Sequence, residues 1–215
     1  MQCKSPPKID KSMRAVYNKD MKRNYDKEMQ LKMQEVQKGE RLLLHSCCAP
    51  CSSACLERLA QVFSITILYY NPNIDDPQEY EKRKQEQIRF LKETGFADFL
   101  DCDHEPEAFV SAVQGLEQEP ERGARCYRCY ALRLEKTAQI AKANGFAWFA
   151  TTLTLSPHKN ADWLNEIGEK VGGRYEMNYL CTDFKKQGGY LRSIELSKEY
   201  GLYRQDFCGC KYSKR

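Results

Sequence analysis

The join at Leu42 to Cys51 constrains this chain more than any other stretch. Leu42-Leu43-Leu44 is an apolar run of strand length, and it breaks directly into His45-Ser46-Cys47-Cys48-Ala49-Pro50-Cys51. Pro50 suits the first turn of a helix, where a missing N–H removes no hydrogen bond. A strand passing through a tight turn into a helix N-terminus is where α/β proteins set reactive or anion-binding groups. Here that position carries three thiols. The positive end of the helix dipole favours the thiolate, which is the metal-binding form.

From Leu42 onward, strand-length and helix-length segments alternate, which predicts an α/β fold: a mainly parallel sheet with helices on both faces. The first strand runs from Leu42 to Ser46 and its helix from Pro50 to about Gln61. Ser64 to Tyr70 is the second strand, turning at Asn71-Pro72-Asn73. A helix with Asp76 as N-cap and Pro77 at its first position extends to about Thr94. A short strand at Phe99 to Cys102 and a short helix at Glu105 to Gln114 follow. Cys126 to Asn144 forms a long helix stopped by Gly145. Phe146 to Leu153 is a strand apolar enough for burial on both sides. Ser156-Pro157 opens a helix reaching about Val171, before Gly172-Gly173. Tyr175 to Cys181 is a fifth strand, Gly188 to Tyr200 the last helix, and the tail carries Cys208 and Cys210. Residues 40–215 are thus one catalytic-size domain. Residues 1–39 form a polar, helical N-terminal extension, with weak helical spacing at Met13, Val16, Tyr17 and Tyr25.

Eleven cysteines among 215 residues are many. No apolar run approaches the roughly 18–20 residues of a membrane span, and Met1 to Asp10 lacks a signal-peptide apolar region. The expected compartment is therefore the cytoplasm, with no membrane partner. Structural disulfides are rare there, so closely spaced cysteines point to metal or redox chemistry. Cys126 and Cys129 stand three apart at a helix start and point the same way. With Cys47 and Cys48 they make four thiolates, and adjacent cysteines suit a cubane with separate iron corners better than one zinc ion. A [4Fe–4S] cluster on Cys47, Cys48, Cys126 and Cys129 is favoured over zinc. The glycine in Cys208-Gly209-Cys210 allows a strained, reducible disulfide or two ligands to one metal. Cys51 lies on the same helical side as Cys47 and Cys48 and joins Cys208 and Cys210 as a candidate ligand of a second, mononuclear metal. Cys55 reads as core, and Cys3, Cys102 and Cys181 as structural.

Other polar groups follow strand ends, the face on which parallel sheets place active sites. Asp103, His158 and Asp183 are candidate proton donors, although helix caps and solvated loop residues are the commoner account of such positions. The net charge of +4 is compatible with a nucleic-acid partner without establishing one. Arg122, Arg125, Arg128, Lys185, Lys186 and Arg192, with Tyr127, Tyr130 and Tyr190, are expected to converge. Such a set would neutralise phosphates and stack on splayed bases.

LLLHSCCAPCS, YYNPNI, RCYRCYALRL, TTLTLSPHKN and DFKKQGGYLRSIELSKEYGLYRQDFCGC, in this order, closely resemble the QueH-type epoxyqueuosine reductases. The resemblance runs from Leu42 to Tyr212 and leaves residues 1–39 outside it. It implies an α/β domain of the adenine-nucleotide hydrolase-like (HUP) kind. It also implies the last step of queuosine synthesis: reduction of the epoxide of epoxyqueuosine, at the anticodon wobble position of tRNA, to the alkene. The iron–sulfur cluster of the family would fall on Cys47, Cys48, Cys126 and Cys129. Cys208 and Cys210 would be redox-active or would ligate an additional iron, and an electron donor is required.

Two rivals share parts of this pattern. An ATP-using tRNA-modifying enzyme of the PP-loop type should carry a glycine-rich phosphate loop after the first strand. The glycine-free Ser46-Cys47-Cys48-Ala49-Pro50 occupies that place. A zinc-bound RNA-binding module without catalysis is the other. It would be colourless, whereas an iron–sulfur protein is brown.

Overall fold

The structure, a computed structural model, describes residues 23–213. Five strands form one sheet: β1 (Arg41–His45), β2 (Ser64–Leu68), β3 (Asp98–Leu100), β4 (Trp148–Thr151) and β5 (Asn178–Tyr179). Their order is β3-β2-β1-β4-β5, and every neighbouring pair is parallel. Helices α1 (Tyr25–Glu35), α2 (Ala49–Leu59), α3 (Pro77–Thr94), α4 (Pro106–Ala112), α5 (Ala124–Ala143), α6 (Ala161–Tyr175) and α7 (Gly189–Glu199) surround it. None of the helices among the described residues is long and apolar enough to cross a membrane.

The two-residue period of β1 builds both cores at once. Leu42 and Leu44 point into one cluster with Met29, Leu56, Ile67, Phe90 and Leu196, while Leu43 points into another with Tyr130, Leu134, Phe149, Leu164 and Ile167. All three leucines are fully buried. This is why the first strand reads as a continuous apolar run and not as an alternation. β1 has β2 on one side and β4 on the other, so the chain switches direction across the sheet at their carboxyl ends. That crevice is where open α/β sheets bind ligands.

Local chemistry places the helix starts. Asp76 accepts from the Gln78 N–H at 2.9 Å and Pro77 opens α3, as its sequence requires. α6 departs from expectation at both ends. It begins at Ala161, because Asn160 Oδ1 takes the Trp163 N–H at 3.1 Å, and Ser156 to Lys159 form a separate turn. It also runs through Gly172-Gly173 to Tyr175. Gly172 serves close packing there, since a Cβ would lie 2.8 Å from the Met177 carbonyl oxygen. β5 is correspondingly shorter than the run Tyr175 to Cys181, and β4 gives way after Thr151 to a 3-10 turn over Thr152–Leu155.

α1 is seated on the domain. Met29 is buried in the larger core, Asp26 pairs with Arg58 at 2.7 Å and accepts from Gln187, and Arg23 pairs with Glu169 at 2.8 Å. The rest of the expected extension, residues 1–22 with Cys3, Met13, Val16 and Tyr17, lies outside the described residues.

Candidate metal centre

Three elements bring the cysteines together. Cys47 and Cys48 sit on the turn leaving β1, with Cys48 as the extended N-cap of α2, and Cys51 lies in the first turn of that helix. The Cys47 and Cys48 sulfurs are 3.7 Å apart, and the sulfurs of Cys47, Cys48 and Cys51 all lie within 4.8 Å of one another. The first turns of α5 carry Cys126 and Cys129, which line a small cavity together with Cys208 and Cys210 of the tail. Next to it opens a larger cavity of about 760 Å³, bordered by Cys47 and Cys51. Cys208, Arg133, His158 and Lys159 border both.

The tail is held by main-chain contacts. Arg83, on α3 and paired with Glu79 at 2.6 Å, donates to the carbonyl oxygens of Cys208 at 3.3 Å and Phe207 at 3.4 Å. Asn73 Nδ2 reaches the Cys208 carbonyl at 3.4 Å and its sulfur at 3.9 Å. Arg125 donates to the carbonyls of Glu117, Glu119 and Tyr212, so it ties the loop before α5 to the tail. Gly209 permits the bend at φ +94°, and a Cβ there would stand 2.7 Å from Ile74 Cγ1.

The charges around the sulfurs are unequal. Hydrogen bonds from Cys48 and Cys51, followed by the charges of Lys159 and Arg133, hold the Cys47 thiol well below its ordinary range. The same hydrogen bonding keeps the proton on Cys48, raised to about 12, and on Cys51. Burial raises Cys126 and pushes Cys129 up to about 12, against the charge of Arg133. Burial pulls the Lys159 ammonium down, but the sulfurs of Cys208 and Cys47 outweigh it and leave it raised. Its Nζ lies 3.9 Å from the Cys208 sulfur. Soft thiolates in this number fit iron–sulfur or zinc chemistry, and two cations balance the negative charge such a donor set accumulates.

Other expected site residues fall differently. His158 borders both cavities, with Nδ1 3.0 Å from Arg122 Nη2. Asp103 is exposed in the loop after β3, and Asp183 pairs with Lys185 at 2.8 Å; neither borders these cavities. The basic residues do not converge on one surface. Arg125 is 2 % exposed and engaged by carbonyls, Arg192 pairs with Glu57 and Glu195, and Lys185 donates to the Thr154 carbonyl. Arg128 and Lys186 are exposed. Tyr190 borders the larger cavity, whereas Tyr127 packs edge-on against Trp163 and Tyr130 is buried. Arg83, Asn73, Arg133 and Lys159 were missed. Arg133 had a visible signal, lying four residues after Cys129 on the same helical face.

Residues 42–215 match the family described as epoxyqueuosine reductase QueH. The chain is similar to the epoxyqueuosine reductase QueH of Streptococcus pyogenes serotype M1, 44% identical over 210 residues that cover 94% of this chain and 82% of that protein. It is 38% identical to the Haemophilus influenzae protein of the same name, covering 100% of this chain and 90% of that one. Among solved structures, the U34-tRNA thiolase NcsA from Methanococcus maripaludis, with its [4Fe-4S] cluster, superposes with a TM-score of 0.57. That match has 11% identity and covers 88% of this chain and 68% of that one, so it is a likeness of fold.

Proposed function

The chain belongs to the epoxyqueuosine reductase QueH family, and from that premise we propose that it reduces the epoxide of epoxyqueuosine in tRNA to the alkene. The observation that carries the reading is the meeting of three separate cysteine groups at two adjoining cavities. The overall change takes two electrons and two protons: both epoxide C–O bonds break, the alkene forms and the oxygen leaves as water. A [4Fe–4S] cluster on Cys47, Cys48, Cys126 and Cys129 would supply electrons singly. The protein's residues do the rest. The larger cavity has the size of a nucleoside site. Tyr190 on its wall is the aromatic proposed to stack on the splayed base, and Lys159 puts a cation 3.9 Å from the Cys208 sulfur. His158 is the candidate proton donor that borders this space, with Asp103 and Asp183 set further off.

The decisive experiment is nucleoside mass spectrometry of epoxyqueuosine-containing tRNA. The tRNA is incubated anaerobically with reconstituted protein and a chemical reductant. Queuosine should appear, and its absence with a brown, iron-loaded protein would remove the assignment.

Cys208 and Cys210 act either as a dithiol or, with Cys51, as ligands of a second iron. The second iron is favoured because Cys51 and Cys208 border the same cavity. Such an ion would act as a Lewis acid on the epoxide oxygen. Iron counted on wild type, Cys51→Ala and Cys208→Ser distinguishes the two. Loss of iron beyond the cluster in both variants is expected, and equal iron in all three leaves only the dithiol.

Arg122, Arg128 and Lys186 are the exposed members of the basic set; Arg122 is turned to the Pro157 carbonyl and His158 Nδ1, and Arg128 and Lys186 are the ones proposed to meet tRNA phosphates. Arg128→Glu or Lys186→Glu should weaken binding and lower the slope of log K against log salt by about 0.7–0.9 per lost contact. An unchanged slope in filter binding across a salt series would take both residues off the tRNA surface.

A further inference from the structure

Among the described residues, Arg133 is a buried cation with no carboxylate within ion-pair distance. Its side chain is 1% exposed, in the middle of α5, and it borders both cavities between the two cysteine groups. Its Nε reaches His45 Nε2 at 3.2 Å, and its Nη2 donates to Asn71 Oδ1. Asn71 is anchored in turn, donating to the Ser46 carbonyl at 2.9 Å, and His45 Nδ1 lies 2.9 Å from Thr151 Oγ1. These partners fix the guanidinium across the carboxyl ends of β1 and β4. Among the described residues no carboxylate stands within ion-pair distance of it. Glu121, which also borders both cavities, is exposed.

Burying a charge without a counter-charge is strongly unfavourable. The groups that share the cavity walls with Arg133 are sulfurs: Cys129 and Cys208 in the smaller cavity, Cys47 and Cys208 in the larger. An imidazole and an amide orient this cation, and neither carries a charge to balance it. A carboxylate partner would have cancelled the field that the arrangement leaves directed at the sulfurs.

We propose that Arg133, held by His45 and Asn71, is a positioning residue whose uncancelled charge sets the reduction potential of the metal group carried by the surrounding cysteines. A fixed cation beside a centre that gains negative charge on reduction favours the reduced state. This rests on the reading that the thiols hold a redox metal group, and the test separates the two. Wild type, Arg133→Lys, Arg133→Gln and Asn71→Asp are reconstituted anaerobically, assayed for iron and sulfide, and titrated for midpoint potential by EPR. Asn71→Asp keeps the arginine but puts a carboxylate against it. Arg133→Gln and Asn71→Asp should each lower the reduced-to-oxidised ratio at a given potential at least tenfold, about 59 mV for a one-electron couple. Arg133→Lys should stay closer to wild type. If wild type takes up no iron and sulfide, the redox-centre reading fails and this inference with it. If wild type is loaded but neither Arg133→Gln nor Asn71→Asp shifts the potential, the inference alone is overturned. If both variants lose far-UV circular dichroism as apo-proteins, Arg133 serves the fold and the inference is likewise overturned.

Discussion

Cys129→Ala, reconstituted anaerobically with iron and sulfide, is expected to lose the absorbance of the iron–sulfur chromophore and all turnover. The sulfur is buried at the start of α5 and borders the cavity shared with Cys126, Cys208 and Cys210. Changes one shell out from a metal typically cost 10–100-fold in affinity, so losing a ligand should cost at least about 100-fold. Cys47→Ala, Cys48→Ala and Cys126→Ala should behave alike. Folding does not explain such a loss, because trimming one sulfur costs only about 1 kcal/mol. Cys55→Ala supplies the contrast. Cys55 is also fully buried, but its thiol donates to the Cys51 carbonyl from within the core. It should lose a similar amount of stability and keep its iron. A full iron and sulfide complement on Cys129→Ala would show that the cluster sits elsewhere.

Gly209→Val should uncouple the tail from the cavities while leaving the sheet intact. Its φ of +94° lies in the left-handed region, where a β-branched residue is strained, and Ile74 already fills the space a Cβ would take. Strain of about 1–3 kcal/mol set against docking of Cys208 and Cys210 corresponds to a fall in turnover of about 5- to 150-fold. The thermal midpoint should move little, since residues 204–213 contribute few side chains to the two main cores. Turnover equal to wild type, with iron content measured on the same sample, would mean the reaction does not need the docked tail.

Much of this arrangement was legible in the sequence, for physical reasons that differ by element. The run Leu42 to Leu44 announced a strand, and Asp76-Pro77 carries its own helix start. Cys47, Cys48 and Cys51 had to be neighbours, because a strand, a turn and a first helical turn leave them little choice. What escaped depends on contacts distant in the chain. Arg125 looked like a surface charge beside Cys126, but carbonyls from the preceding loop and from Tyr212 surround it. Arg192 meets Glu57 across two helices, a pairing no local pattern encodes. α1 shows only weak helical spacing because a few residues, chiefly Met29 and Asp26, attach it. The glycine pair at 172–173 looked like a stop, and Gly172 proved to be a contact with Met177 and Tyr179, which becomes visible only once β5 is in place.

The way the tail is gripped has a consequence for sequence variation. Arg83 and Arg125 hold it through the carbonyl oxygens of Phe207, Cys208 and Tyr212, which every residue type possesses. These bonds do not depend on which side chains the tail carries, whereas the rings of Phe207 and Tyr212 under the same arginines, the bonds of Arg204 to Ser193 and Ser197, and the backbone of Gly209 do. Asp206, exposed on the wall of the larger cavity, can drift and remodel that wall without loosening the attachment. Substitution of either arginine would instead release every version of that wall alike.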